Sequence, residues 1–230
     1  MARVVLVPGF TQSASAWSVA GAALRAAGHD CVALDVPVDR DFVATAHALG
    51  DAGGRAVYAG YSMGGRLCLR LALDRPEVVQ RLVLVSASPG LSDAAERAAR
   101  RASDEDLARD VEARGVEPFL RDWLAQPLFA GVPMTDEEVA ARARAHTAAQ
   151  IAAMLRNLGT GTQAPLWDRL GELRMPVALV SGRTDSKFDA INDEMQAECG
   201  ATRIRIDGGH ALPLEQPHAL AAAIGEWLTR

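Results

Sequence analysis

Ser62 sits in Val57-Tyr58-Ala59-Gly60-Tyr61-Ser62-Met63-Gly64-Gly65-Arg66, where a short apolar run passes into a helical pattern. Glycines two residues to either side of a serine let neighbouring backbone approach without a Cβ clash, so a sharp strand-to-helix turn can hold the hydroxyl exposed. A hydroxyl becomes an effective nucleophile or base once an imidazole accepts its proton. The imidazole in turn needs a carboxylate to fix its tautomer and stabilise its cation. Two further apolar runs end in loops that carry such groups, Gly182-Arg183-Thr184-Asp185 and Asp207-Gly208-Gly209-His210. Gly-x-Ser-x-Gly by itself also arises by chance in a chain rich in alanine and glycine. Three strand ends carrying Ser62, Asp185 and His210 in the order serine, acid, histidine outweigh that chance reading.

The competing side chains fit less well. His29 falls in a helix-to-strand turn, His47 and His146 in helical patterns, and His218 in the first turn of the last helix; these are expected to be structural or solvated. Asp189 and Asp193 lie near Asp185 but within the helical pattern that follows it. Two backbone N–H groups are needed to receive developing negative charge. Met63, the residue after the serine, is expected to supply one, and Phe10, in the loop after the first strand, the other.

These positions require a particular set of elements. Apolar, largely β-branched runs at residues 4–7, 31–35, 56–59, 82–85, 175–181 and 203–206 read as strands, several buried on both faces. Helical patterns at 17–27, 41–49, 67–76 and 217–228 alternate with them, punctuated by Gly28, Gly53-Gly54 and Pro217. Alternating strands and helices on short connections predict a mostly parallel, doubly wound α/β sheet of about six strands, with ligands at the carboxyl ends of the strands.

Between residues 89 and 165 the pattern changes to helices at 93–115, 116–125 and 136–158, with no convincing strand. Inserted between two strands, this segment is expected to lie over the carboxyl edge as a helical lid, on a core formed by residues 1–88 and 166–230. Its first helix carries Arg97, Arg100, Arg101 and Arg109 among alanines and acids, a pattern that most simply makes a solvated face held by i,i+4 ion pairs.

The chain has 230 residues, nearly half of them apolar, and a net charge of −5. That is enough chain for one substantial core with an insertion. With no dense basic run, neither nucleic acid nor an anionic membrane surface is expected as a partner. A small anionic ligand remains compatible, since a few arginines can focus positive potential inside an acidic protein. No signal-like segment or bilayer-length apolar stretch is visible, so a cytoplasmic protein is expected. Cys31, Cys68 and Cys199 are odd in number and widely spaced. They imply neither a metal site nor a disulfide framework, and no cofactor is called for.

With these residues in view, the whole chain resembles the α/β-hydrolase superfamily. Four stretches are similar to a narrower family, the 2-succinyl-6-hydroxy-2,4-cyclohexadiene-1-carboxylate synthases (MenH) of menaquinone biosynthesis. They are Gly60 through Arg66, Ser88-Pro89-Gly90-Leu91 with Ala95 through Arg100, Asp122 through Phe129, and Gly182 through Phe188. The resemblance implies a lyase that expels pyruvate from a polycarboxylate cyclohexene, with the triad serine acting as base. It places substrate-binding roles on Arg66 and Arg100 and pocket roles on Tyr61 and Trp123. Arginine suits that task because its planar fork binds a carboxylate through two hydrogen bonds and keeps its charge. Two loops depart from the family pattern: Pro8 stands where a histidine is usual, and Val36-Pro37-Val38-Asp39-Arg40-Asp41 replaces Pro-Gly-His-Gly-x-Ser.

Three functions therefore stay open on sequence: the pyruvate-eliminating lyase, a serine hydrolase of a small ester or of a carbon–carbon bond next to a ketone, and a non-catalytic binding protein on the same scaffold. The complete serine, aspartate and histidine set counts against the last.

Overall fold

The computed structural model describes residues 1–132 and 135–230. Six strands, β1 (Arg3–Val7), β2 (Asp30–Ala33), β3 (Ala56–Tyr61), β4 (Val79–Val85), β5 (Val177–Gly182) and β6 (Thr202–Ile206), form one sheet in the order β2-β1-β3-β4-β5-β6. Every neighbouring pair is parallel, so the expected mostly parallel sheet is wholly parallel. The chain winds outward from β1 in both directions. A crevice therefore opens beyond the carboxyl ends of β1 and β3, the point at which such sheets bind ligands.

The apolar runs are continuous because both faces are covered. Val5, Val7, Tyr58, Leu82, Leu84 and Leu179 pack into one core, whereas their strand neighbours Val4, Leu6, Val57, Ala59, Val83 and Val180 pack into the other. That period-two division is the pleat itself. The first face is covered by α2 (Phe42–Gly53) and α3 (Met63–Asp74), the second by α1 (Ser18–Ala26) and the terminal α10 (Pro217–Leu228). The remaining core helices are α8 (Ser186–Cys199) and the short α9 (Leu212–Glu215).

Between β4 and β5 the described chain is helical: α4 (Ala94–Arg114), α5 (Val116–Leu124), α6 (Asp136–Arg144) and α7 (Ala148–Leu158). Residues 133–134, within the expected lid, lie outside the described residues. Asp93 caps α4 by accepting from the Glu96 N–H, and Gly115 ends it at a φ of 85°. The helix expected over 136–158 is two helices. Thr147 and Gln150 form a reciprocal capping box, in which the threonine hydroxyl accepts from the Gln150 N–H at 3.2 Å and the glutamine carbonyl accepts from the Thr147 N–H at 2.8 Å. Capping of this kind starts a new helix inside what reads as one apolar periodicity. Smaller differences come from turn-forming segments: the first helix opens with a 3-10 turn at Ala14–Trp17, another lies at Trp167–Glu172, and β2 begins at Asp30 and ends at Ala33. Among the described residues no helix is long and apolar enough to cross a membrane.

Candidate functional site

Ser62 joins β3 to α3 at φ 50° and ψ −109°. Such a backbone costs a non-glycine residue on the order of 1–3 kcal/mol and persists only where packing dictates it. The packing is visible in the glycines. A Cβ on Gly60 would lie 2.5 Å from the Gly64 carbonyl, one on Gly65 would lie 2.5 Å from the Ala87 Cβ, and one on Gly64 would collide with the Val7 and Pro8 carbonyls. The Ser62 N–H donates to the Val85 carbonyl at 2.9 Å, tying the turn to the end of β4.

The loop after β6 brings His210 to this turn, and Asp185 stands at the N-cap position of α8 just past β5, its side chain making no capping bond. His210 Nε2 lies 3.4 Å from Ser62 Oγ, and His210 Nδ1 lies 2.8 Å from Asp185 Oδ2. Both members of the histidine–aspartate pair are almost fully buried. The imidazole packs among Tyr61, Phe129 and Phe188, with ring centroids 5.4, 6.1 and 4.6 Å away. With Nδ1–H donating to the carboxylate, Nε2 is left to accept the serine proton. The serine contact is long for a hydrogen bond, as such contacts often are before a substrate tightens them.

Three of the competing groups are engaged elsewhere, while His29 Nδ1 and His146 Nε2 are buried without a partner among the described residues. His47 pairs with Asp74 at 3.0 Å, and Asp189 accepts from Ser181, Arg203 and Arg205. Asp193 is paired with Arg205.

A cavity of about 340 Å³ lies over Ser62 and His210. Met63 opens α3, where the first N–H groups have no partner within the helix. Phe10 borders the same cavity and meets the Trp123 ring edge-on at 4.9 Å. Tyr61 is buried against Gly9, where an added Cβ would lie 2.6 Å from its ring. Burial pushes the Tyr61 phenol far above its ordinary pKa. It therefore contributes to the site as an uncharged wall.

The cavity also holds cations. Arg66, one turn along α3 from Ser62, is buried and donates to the Gln163 side-chain carbonyl at 3.0 Å and the Leu158 carbonyl at 2.8 Å. Its guanidinium lies 5.5 Å from the Phe42 ring centroid. All these partners are neutral. Burial, with the nearby Arg100 second, lowers the Arg66 pKa well below its usual value, and Asp104 opposes the shift. Arg100 is half-exposed and donates to Asp104 Oδ1 at 2.8 Å. Asp104 is buried with its second oxygen unpartnered, and burial raises its carboxyl pKa against the pull of Arg100 and Arg66. The other arginines of α4 serve structure: Arg97 binds the Leu91 and Ser92 carbonyls, Arg101 the Gly161 carbonyl, and Arg109 pairs with Glu105.

Among the cavity residues not expected from the sequence are Arg142 and Ser86. Arg142 on α6 reaches the loop after β1; one turn earlier, Val139 is the buried residue of α6, which is the only sequence signal that this face turns inward. Ser86, at φ 47° after β4, is fully buried with a hydroxyl that has no partner among the described residues. Nothing in the sequence pattern marks it. Among the described residues no group of three or more His, Cys, Asp or Glu side chains is arranged to hold a metal ion.

The profile of the alpha/beta hydrolase family matches residues 4–223. A Bacillus subtilis protein named "Putative 2-succinyl-6-hydroxy-2,4-cyclohexadiene-1-carboxylate synthase" is 33% identical over 246 residues, covering 98% of this chain and 90% of that protein. The 2-succinyl-6-hydroxy-2,4-cyclohexadiene-1-carboxylate synthase of Serratia proteamaculans is 32% identical over 171 residues, 74% of this chain and 66% of its own length. The solved structure of MenH from S. aureus superposes with a TM-score of 0.90 at 25% identity, covering 99% of this chain and 93% of that one.

Proposed function

This chain belongs to the alpha/beta hydrolase family, and from that premise we propose that it is a Ser-His-Asp enzyme of the MenH kind, a lyase that eliminates pyruvate from a polycarboxylate cyclohexene precursor in menaquinone biosynthesis. The observation that carries this reading is a buried arginine, Arg66, whose hydrogen-bond acceptors among the described residues are both neutral, with Asp104 acting on it only at a distance, in the same cavity as Ser62 and His210. Desolvating a cation beside neutral groups is costly unless an anion arrives to pair with it. A substrate carboxylate supplies that anion and gains a charge-assisted hydrogen bond.

In this mechanism Ser62 Oγ takes a carbon-bound proton from the substrate as its own proton passes to His210 Nε2. Asp185 holds the imidazole in the accepting tautomer and stabilises the cation that forms. The electron pair left on carbon delocalises onto an adjacent oxygen, where the Met63 and Phe10 N–H groups receive the enolate-like charge. Collapse of that charge breaks the bond to the leaving group, which takes the proton from the imidazolium and departs as pyruvate. No acyl-enzyme forms. Residues 89–165 act as the lid, with Trp123 as cavity wall and Arg100 beside Arg66 as a second carboxylate ligand.

The aromatic wall of Phe10, Trp123 and Phe129 favours a second reading, a hydrolase of small neutral esters. The two are separated by Arg66→Gln. Under the lyase reading the KM for the polycarboxylate rises roughly 10- to 100-fold, the value of one charge-assisted contact, and turnover of a neutral aryl ester is little changed. Equal losses on both substrates would count against a carboxylate-binding role.

A further inference from the structure

The loop after β1 is held in an uncommon shape. The Gln12 N–H donates to the Gly9 carbonyl at 3.2 Å, closing a four-residue turn with Phe10 and Thr11 in its middle, and the Gly9 N–H donates to the Gln12 side-chain carbonyl at 3.1 Å. Thr11 has a φ of 61°. Positive φ at the third position of such a turn is normally left to glycine, and for a β-branched residue it is a true outlier. The turn's own bonds do not explain why a threonine stays there.

Arg142 does, from 131 residues away. Its Nε donates to the Thr11 carbonyl at 2.9 Å, and its Nη2 donates to the Phe10 carbonyl at 3.2 Å and the Thr11 hydroxyl at 2.6 Å. Three acceptors of one dipeptide thus converge on one planar fork, a geometry that lysine cannot reproduce. The consequence falls on Phe10. Its N–H belongs to the peptide whose carbonyl, that of Gly9, is turned inward by Gln12, and a trans peptide points its N–H the opposite way. The peptide on the other side of Phe10 is fixed by Arg142. With both flanking planes held, the direction of the Phe10 N–H is set. With neutral acceptors, burial lowers the Arg142 pKa to about 10, so the clamp is a cation held by two backbone carbonyls and one hydroxyl.

We propose that Arg142 is a positioning residue for the oxyanion hole: it clamps the Phe10 and Thr11 carbonyls and the Thr11 hydroxyl, and so holds the strained turn that aims the Phe10 N–H. This rests on Phe10 being a donor to the developing charge, as in the reading above.

The test uses the full chain as Arg142→Ala, Arg142→Lys, Thr11→Gly and the Arg142→Ala/Thr11→Gly double variant. Each is assayed with the polycarboxylate and with 4-nitrophenyl acetate, which has no carboxylate to bind, and backbone exchange of the segment 8–13 is followed by hydrogen–deuterium mass spectrometry. The clamp predicts a kcat loss of roughly 10- to 100-fold on both substrates for the two Arg142 variants, the scale of a displaced oxyanion donor, with faster exchange confined to the turn. Glycine tolerates the positive φ without help. The double variant should therefore recover at least about tenfold of the kcat lost in Arg142→Ala. A rise in KM for the polycarboxylate alone, with kcat and exchange unchanged, would overturn the proposal in favour of a carboxylate ligand. Equal kcat losses without rescue by Thr11→Gly would overturn it in favour of general destabilisation. If the wild-type protein hydrolyses the ester but releases no pyruvate, the lyase reading fails while the ester and exchange arms still decide the clamp.

Discussion

Replacing Ser62 or His210 with alanine is expected to lower the proposed pyruvate release by on the order of a thousandfold or more, with binding of the polycarboxylate retained. The size follows from how the three groups act. His210 Nε2 has Ser62 Oγ at 3.4 Å, and Nδ1 has Asp185 at 2.8 Å. Removing the serine leaves the histidine no hydroxyl to activate, and removing the histidine leaves the serine proton no acceptor. Because the members work as a unit, either loss approaches the loss of all, and the double variant is little worse than each single one. The cavity's cations do not depend on the triad, so binding of a non-reacting polycarboxylate, measured calorimetrically, stays close to wild type. Single variants that keep near wild-type turnover would remove the triad from the mechanism.

Gly64→Ala is expected to be nearly as damaging by a different route. The added methyl would meet the Val7 and Pro8 carbonyls, which are backbone at the end of β1, a strand paired on both sides by β2 and β3. Neither side can yield without moving β1 or α3. Overpacking of this kind costs about 1–3 kcal/mol, seen as a lowered unfolding midpoint. Such a shift also displaces Ser62 and the Met63 N–H relative to His210, and misplacement by an ångström costs about 100-fold in rate. Gly171→Ala is the control: nothing lies within 4 Å of its added Cβ, and stability and rate should stay close to wild type. Matching behaviour of the two variants would mean that the elbow is not close-packed in solution.

The order of these elements was readable because buried parallel strands need runs such as Val4-Val5-Leu6-Val7, and because punctuating glycines fix where the runs stop. Ser62, Asp185 and His210 were found through strand ends, and the structure brings all three together. Arg66 was named through the family resemblance, and its position four residues past Ser62 puts it on nearly the same side of the helix. The environments of the arginines were not legible. Arg100 and Asp104 are i,i+4 neighbours like many surface pairs, and only the packing of α4 on α7 shows that Asp104 is buried. Arg142 could not be found from its own stretch, because its partners lie 131 and 132 residues away. The break between α6 and α7 was legible in principle: Thr147 and Gln150 spell a capping box, but the apolar periodicity across them read as one helix. Ser86 stays buried with an unpartnered hydroxyl, and nothing in its surroundings explains it.

Ser62 is proposed to serve an elimination in which the cavity's arginines hold the substrate's carboxylates. Initial rates of the wild-type protein with the menaquinone precursor, read as pyruvate formed, set against rates with a simple aryl ester, read as phenol formed, test it most directly. An elimination gives rapid pyruvate release, abolished by Ser62→Ala, and poor ester turnover. Substantial ester hydrolysis without pyruvate would contradict it.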